Sequence, residues 1–196
     1  MGKWFPLVYD ALILPLEKTK FKRIRTQLIA KVEGEVLEIG SGTGVNFPIY
    51  KNAHQVVAIE PNPEMTKHAA QNIKKSKVPI RSITARAEQL PFEDNTFDTV
   101  VATLVFCTIP NPIKALQEIE RVCKPGATIQ FFEHVKMKQP FLAKLQEVCT
   151  PFWKKVCDGC HLNRDTLELV NQSNLNIKQV DSFYKGLLLT ITCTKE

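Results

Sequence analysis

Val36-Leu37-Glu38-Ile39-Gly40-Ser41-Gly42-Thr43-Gly44 is the stretch that decides how this chain is read. A short apolar run gives way to three glycines at alternate positions, and a helical pattern resumes soon after. Glycine admits positive φ and lets the backbone approach a ligand with no Cβ between them. A buried strand ending in such a turn aims the N–H groups of the following helix into a crevice. A nucleotide-like cofactor is therefore expected against this turn, and the other motifs are placed by their distance from it.

Outward from the turn, apolar runs and helical patterns alternate. Val36–Ile39 reads as the first buried strand and Gln55–Glu60 as the second. Asn62-Pro63-Glu64 then carries a cap, a first-turn proline and an acid at the positive end of the helix dipole. Met65, Ala69 and Ile73 form the inward face of that helix. Ile80–Thr84 and Phe97–Phe106 read as strands three and four, a helix follows over Pro112–Val122, and Ala127–His134 makes strand five. Helices over Phe141–Lys155 and Arg164–Asn171 lead to Ile177–Phe183 and Leu187–Thr194, two strands joined across Tyr184-Lys185-Gly186. Strands alternating with helices argue for a doubly wound, mostly parallel seven-stranded α/β sheet with a closing C-terminal β-hairpin.

The 196 residues suit one such domain behind a short N-terminal segment. The 44% hydrophobic and 23% charged shares are those of a soluble globular chain, and no run of about 18 apolar residues suggests a membrane span. With no secretory signal pattern, the six cysteines read as free thiols in a reducing cytoplasm. The net charge of +6 concentrates at the start, where residues 1–31 hold seven Lys/Arg against Asp10 and Glu17. There an apolar stretch (residues 4–16) precedes Lys18 to Ala30, a pattern with Phe21, Ile24, Leu28 and Ile29 at helical spacing. The segment suits a lid over the cofactor, with Tyr9, Leu12 and Ile13 as acceptor wall, or peripheral contact with a membrane. It carries no aromatic-interleaved basic patch, so no nucleic-acid partner is expected. Nothing in the pattern specifies an oligomeric state.

A dinucleotide-binding fingerprint requires a third small residue, and Val45 stands in its place. Glu60 lies 20 residues after Gly40 at a predicted strand end, where a carboxylate can accept hydrogen bonds from both hydroxyls of a ribose. The Glu-x-Gly-x-Gly-x-Gly turn, this acid, and Ala87-Glu88-Gln89-Leu90-Pro91-Phe92 followed by Phe97-Asp98 together resemble class I S-adenosylmethionine-dependent methyltransferases, type 11. The resemblance implies a Rossmann-like methyltransferase domain over residues 33–196, after an N-terminal segment over 1–32. It also implies a cofactor site built from Glu38, Gly40, Ser41, Gly42, Thr43 and Gly44, from Glu60, Pro61, Asn62 and Met65, and from Ala87, Glu88, Thr103 and Leu104. Ala87 and Glu88 would hold the adenine edge.

A narrower likeness joins Glu60-Pro61-Asn62-Pro63, Thr103–Cys107, Phe132-Glu133-His134-Val135 and Asp158-Gly159-Cys160-x-Leu162-x-Arg164. These are similar to the methyltransferase-like seven family, whose members methylate small alkyl thiols. The acceptor expected is a small or apolar thiol, with a phospholipid amine or quinone-like lipid precursor as alternative and a non-catalytic cofactor-binding protein as a further one. Phe106 joins Tyr9 as a candidate acceptor wall. His134, at the end of strand five, is the first candidate general base and Asp158 the second. Methyl transfer from a sulfonium requires no metal and none is expected. Cys157-x-x-Cys160-His161, with Cys149, matches haem-attachment and zinc patterns only loosely and reads as incidental.

Overall fold

The computed structural model describes residues 21–196. Tyr9, Leu12, Ile13 and the apolar part of the expected lid lie outside the described residues.

Helix α1 (Lys22–Ile29) leads into β1 (Glu33–Ile39), β2 (Asn52–Ile59), α2 (Pro63–Lys75), β3 (Ile80–Ile83) and β4 (Phe97–Thr103). Then come α3 (Pro112–Val122), β5 (Cys123–His134), α4 (Pro140–Val156), α5 (Thr166–Asn171), β6 (Asn176–Phe183) and β7 (Leu188–Thr194). The strands form one sheet in the order β3-β2-β1-β4-β5-β7-β6. The first five run parallel, and β7 enters antiparallel between β5 and β6.

Both faces of the central strands are covered, which is why they read as unbroken apolar runs. Leu37 and Ile39 face Val57, Val100, Ile129 and the α3 side chains Ala115, Leu116 and Ile119. Val36 points the other way, into a cluster with Val56, Ala58, Val101 and Ala69 of α2. Helix α1 closes that second side at the sheet's end, with Phe21, Ile24 and Leu28 against Phe132 and Leu188. Asn62 caps α2 as its sequence suggests, its side chain accepting from the Glu64 N–H at 3.0 Å.

Two elements differ from the sequence reading. Strand five starts at Cys123, and Lys124-Pro125-Gly126 is a bulge inside it. The register passes from Phe97↔Cys123 to Thr99↔Thr128 across these residues, and the Gly126 N–H finds the Lys195 carbonyl. Strand four ends at Thr103, three residues before Phe106, because Leu104 has φ +53. A positive φ on a bulky residue breaks the pleat, so the alternation of faces does not carry through to Phe106.

Candidate active site

The sheet's order reverses between β1 and β4, and the ends of β1, β2 and β4 open there onto a cavity of about 700 Å³. This is where open α/β sheets collect ligands, and the volume is that of a small-molecule site. Gly40, Ser41, Gly42 and Thr43 form one wall, Glu60, Pro61 and Met65 a second, and Ala87, Glu88, Thr103 and Leu104 a third. Gly40 has φ +62, and a Cβ on it would lie 2.1 Å from Val105 Cγ2. Only glycine lets the turn and the Leu104–Val105 loop come that close.

Glu60 is buried, and each of its oxygens already accepts a backbone N–H, Oε2 from Gly42 at 3.0 Å and Oε1 from Asn62 at 2.9 Å. Desolvation raises its pKa, and the two N–H groups oppose the rise. The carboxylate is thus locked in place on the wall with lone pairs to spare for two hydroxyl donors. Glu88 stands on the wall within a segment pinned from behind. Arg121 holds the Leu90 and Phe92 carbonyls and Asp94, while Glu118 accepts the Leu90 N–H at 2.7 Å. A fixed acid, a glycine cradle and a clamped third segment fit the adenosine half of S-adenosylmethionine.

Three predicted residues serve from behind the wall. Asn62 caps α2. A Cβ on Gly44 would meet the Phe47 ring at 2.4 Å, so this glycine allows the turn to pack. Glu38 is fully buried, accepting from Asn46 Nδ2 at 2.9 Å and from the Tyr50 hydroxyl at 2.8 Å. Burial pushes its carboxyl up to about 7, against the pull of Tyr50, Asn46 and Arg25. Asn46 in turn joins Arg25 and Thr103. Arg25, one of the basic residues of α1, is only 2% exposed. The turn, the end of β4 and α1 are tied together by this buried polar network, of which only Glu38 and Thr103 were legible as site residues.

The structure moves Phe106 off the acceptor wall. It is completely buried, edge-on to Phe131 with ring centroids 5.2 Å apart, because the turn at Leu104 reverses its direction. Asp158, at φ +47, lines the cavity beside Gly159. His134 is not on the cavity wall. Its Nε2 lies 3.3 Å from Cys160 Sγ, and Cys107 completes a group whose ligand-capable atoms are all within 4.8 Å of one another. Hydrogen bonds from the Cys107 thiol and from His134 hold Cys160 down at about 5, against desolvation. In the sequence Cys107 stands only as the end of the Thr103–Cys107 stretch that carries the narrower likeness. Cys149, by contrast, is exposed, and Cys157 is half-buried outside this group.

Known proteins resemble this chain in sequence and in fold. Residues 37–131 match the methyltransferase domain family. The thiol S-methyltransferase TMT1B of Mus musculus is 37% identical over 92% of this chain and 82% of its own length. A phosphatidylethanolamine N-methyltransferase of Cereibacter sphaeroides is 29% identical over 74% of the chain and 72% of that protein. Among solved structures, a SAM-dependent methyltransferase from Aquifex aeolicus superposes with a TM-score of 0.69 at 18% identity, over the whole of both chains.

Proposed function

The chain belongs to the S-adenosylmethionine-dependent methyltransferases, and from that premise we propose that it methylates a small thiol. The observation that carries this reading is the likeness to a thiol S-methyltransferase across nearly the full chain. When bound, S-adenosylmethionine supplies an electrophilic methyl group on its sulfonium.

The protein's share is to hold, orient and exclude water. Glu60 would take the ribose hydroxyls, the Gly40–Thr43 turn would hold the methionine portion, and Ala87 with Glu88 would hold the adenine. Leu104 and Val105 give the cavity an apolar wall suited to an alkyl thiol. Asp158, on the same cavity, is placed to accept the S–H hydrogen bond. A thiol has an ordinary pKa near 8.5, so a few per cent is thiolate at neutral pH, and thiolate attacks without further activation. A thiol held in this cavity would give its proton through Asp158 to water, and its thiolate sulfur would accept the methyl group that the bound cofactor supplies. In-line approach at roughly 3 Å is what the wall must enforce.

One surface favours work at a membrane. Along α4, Phe141, Leu145, Val148, Phe152 and Val156 form a single exposed stripe, with Phe141 79% and Phe152 70% accessible. Their spacing puts them on one helical face, and Lys144 and Lys155 flank it. Among the described residues no helix is long and apolar enough to cross a membrane. The stripe therefore suits peripheral, cytoplasmic-side binding to an anionic lipid surface, which also keeps a lipid-amine acceptor in play as the second reading. The test is labelled-methyl transfer to a small alkyl thiol and, separately, to phosphatidylethanolamine vesicles. Labelled thioether is expected, and label in the lipid alone would overturn the thiol assignment.

A further inference from the structure

Cys107, His134 and Cys160 reach one another from three separate elements. Cys107 lies on the loop after β4, His134 ends β5, and Cys160 sits in the turn between α4 and α5. The approach is held by the main chain, since the His161 N–H donates to the Cys107 carbonyl at 2.9 Å and the Cys160 N–H to the Cys157 carbonyl at 2.9 Å. Gly159, at φ +83, makes the tight turn that delivers Cys160.

We propose that Cys107, His134 and Cys160 form a binding site for a thiophilic divalent cation, Zn²⁺ by its ligand set, with the fourth coordination position left to water. Two thiolates and an imidazole are ligands zinc takes at about 2.3 Å and about 2.0 Å, and tetrahedral placement then separates donor atoms by about 3.5–3.8 Å. The Cys160 Sγ–His134 Nε2 separation of 3.3 Å and the 4.8 Å limit on the whole group need only small side-chain shifts to meet that geometry. Both thiols are buried, and thiolate sulfur is a soft ligand that zinc takes.

The surroundings also suit a cation. Glu133 Oε2, next to His134 in the chain, is buried with no hydrogen-bond partner among the described residues. Thr108, Asp158 and Gly159, each within two positions of a ligand, line the cavity. A bound ion would therefore fix the relative positions of two loops that shape the acceptor wall. The site does not depend on which acceptor the enzyme uses.

The test uses the full chain, reduced and stripped with chelator, and follows Zn²⁺ uptake against a chromophoric competitor. One equivalent is expected. Substituted Co²⁺ should show thiolate charge-transfer and tetrahedral ligand-field bands. Cys107→Ser and Cys160→Ser should weaken uptake more than tenfold, while Cys149→Ser and Cys157→Ser leave it unchanged. X-ray absorption of the zinc-loaded wild-type chain, which needs no variant to fold, should count two sulfur neighbours and one imidazole. Failure to take up one equivalent, a shell of oxygen only, or cobalt bands that survive Cys160→Ser would each overturn the site.

Discussion

Replacing Glu38 by glutamine should change how stability depends on pH more than it changes the fold. Glu38 is buried behind the glycine turn, and its carboxyl sits at about 7 where an exposed glutamate sits near 4.5. Because the folded value lies above the unfolded one, the native state holds a proton that the unfolded chain has lost between those two pH values. Stability therefore falls as pH rises from about 4.5 to about 7, and is level beyond. At 1.36 kcal/mol per pKa unit, the full cost of ionising Glu38 in the folded state is about 3 kcal/mol. Glutamine keeps an oxygen for Asn46 and places an amide against the Tyr50 hydroxyl, but carries no charge to desolvate. Urea unfolding of the two cofactor-free proteins should then show the difference ΔG(variant) minus ΔG(wild type) growing by about 3 kcal/mol between about pH 4.5 and about pH 8. Taking the difference cancels the contribution of Glu133, also pushed up by burial to about 7. A difference that stays constant with pH would mean that Arg25 keeps Glu38 ionised throughout, and that Coulomb attraction outweighs desolvation in this network.

Other substitutions probe the cavity itself. Glu60→Ala removes the acceptor of two hydroxyl hydrogen bonds, together about 3 kcal/mol, and should weaken S-adenosylmethionine binding roughly 100-fold by calorimetry, with Glu88→Ala costing less. An unchanged affinity for the Glu60 variant would displace the ribose. Gly40→Ala meets Val105 at 2.1 Å and should destabilise by roughly 3 kcal/mol, whereas Gly126→Ala, with nothing within 4 Å and only its positive φ to strain, should cost about 1 kcal/mol. Equal thermal shifts for the two would contradict the close approach of turn and loop. Phe106→Leu should lower stability by about 1 kcal/mol and leave the KM for a thiol unchanged, while Leu104→Ala should raise that KM; the reverse pattern would return Phe106 to the wall. Phe141→Ser with Phe152→Ser should leave the melting temperature within about 1 °C yet abolish co-sedimentation with anionic vesicles, and retained sedimentation would remove α4 from the membrane contact.

The sheet was legible because its strands are buried on both faces and its turns carry specific residues. Asn62-Pro63-Glu64 names a helix start by chemistry that acts within a few residues, and Pro112–Val122 is bounded in the same local way. Leu104 shows where that legibility stops. Its positive φ is imposed by the loop that brings Val105 against Gly40 and lets Glu133 accept the Val105 and Phe106 N–H groups. Those contacts join residues far apart in the chain, and no local pattern signals them. The burial of Arg25 is illegible for a related reason. A basic residue on an amphipathic helix usually faces water, and Asn46 and Thr103, distant in the chain, are among the partners that make its burial tolerable. Likewise the Cys157-x-x-Cys160 spacing reads as incidental, and nothing local signals that Cys160 meets Cys107 and His134 across the fold.

The acceptor is tested most directly in a single turnover. Enzyme carrying methyl-labelled S-adenosylmethionine is mixed with equal concentrations of a small alkyl thiol and dispersed phosphatidylethanolamine, and the label is followed to its product. The account predicts one equivalent of labelled thioether, lost together with cofactor binding in Glu60→Ala. Label recovered in the lipid amine with none in the thioether would contradict it.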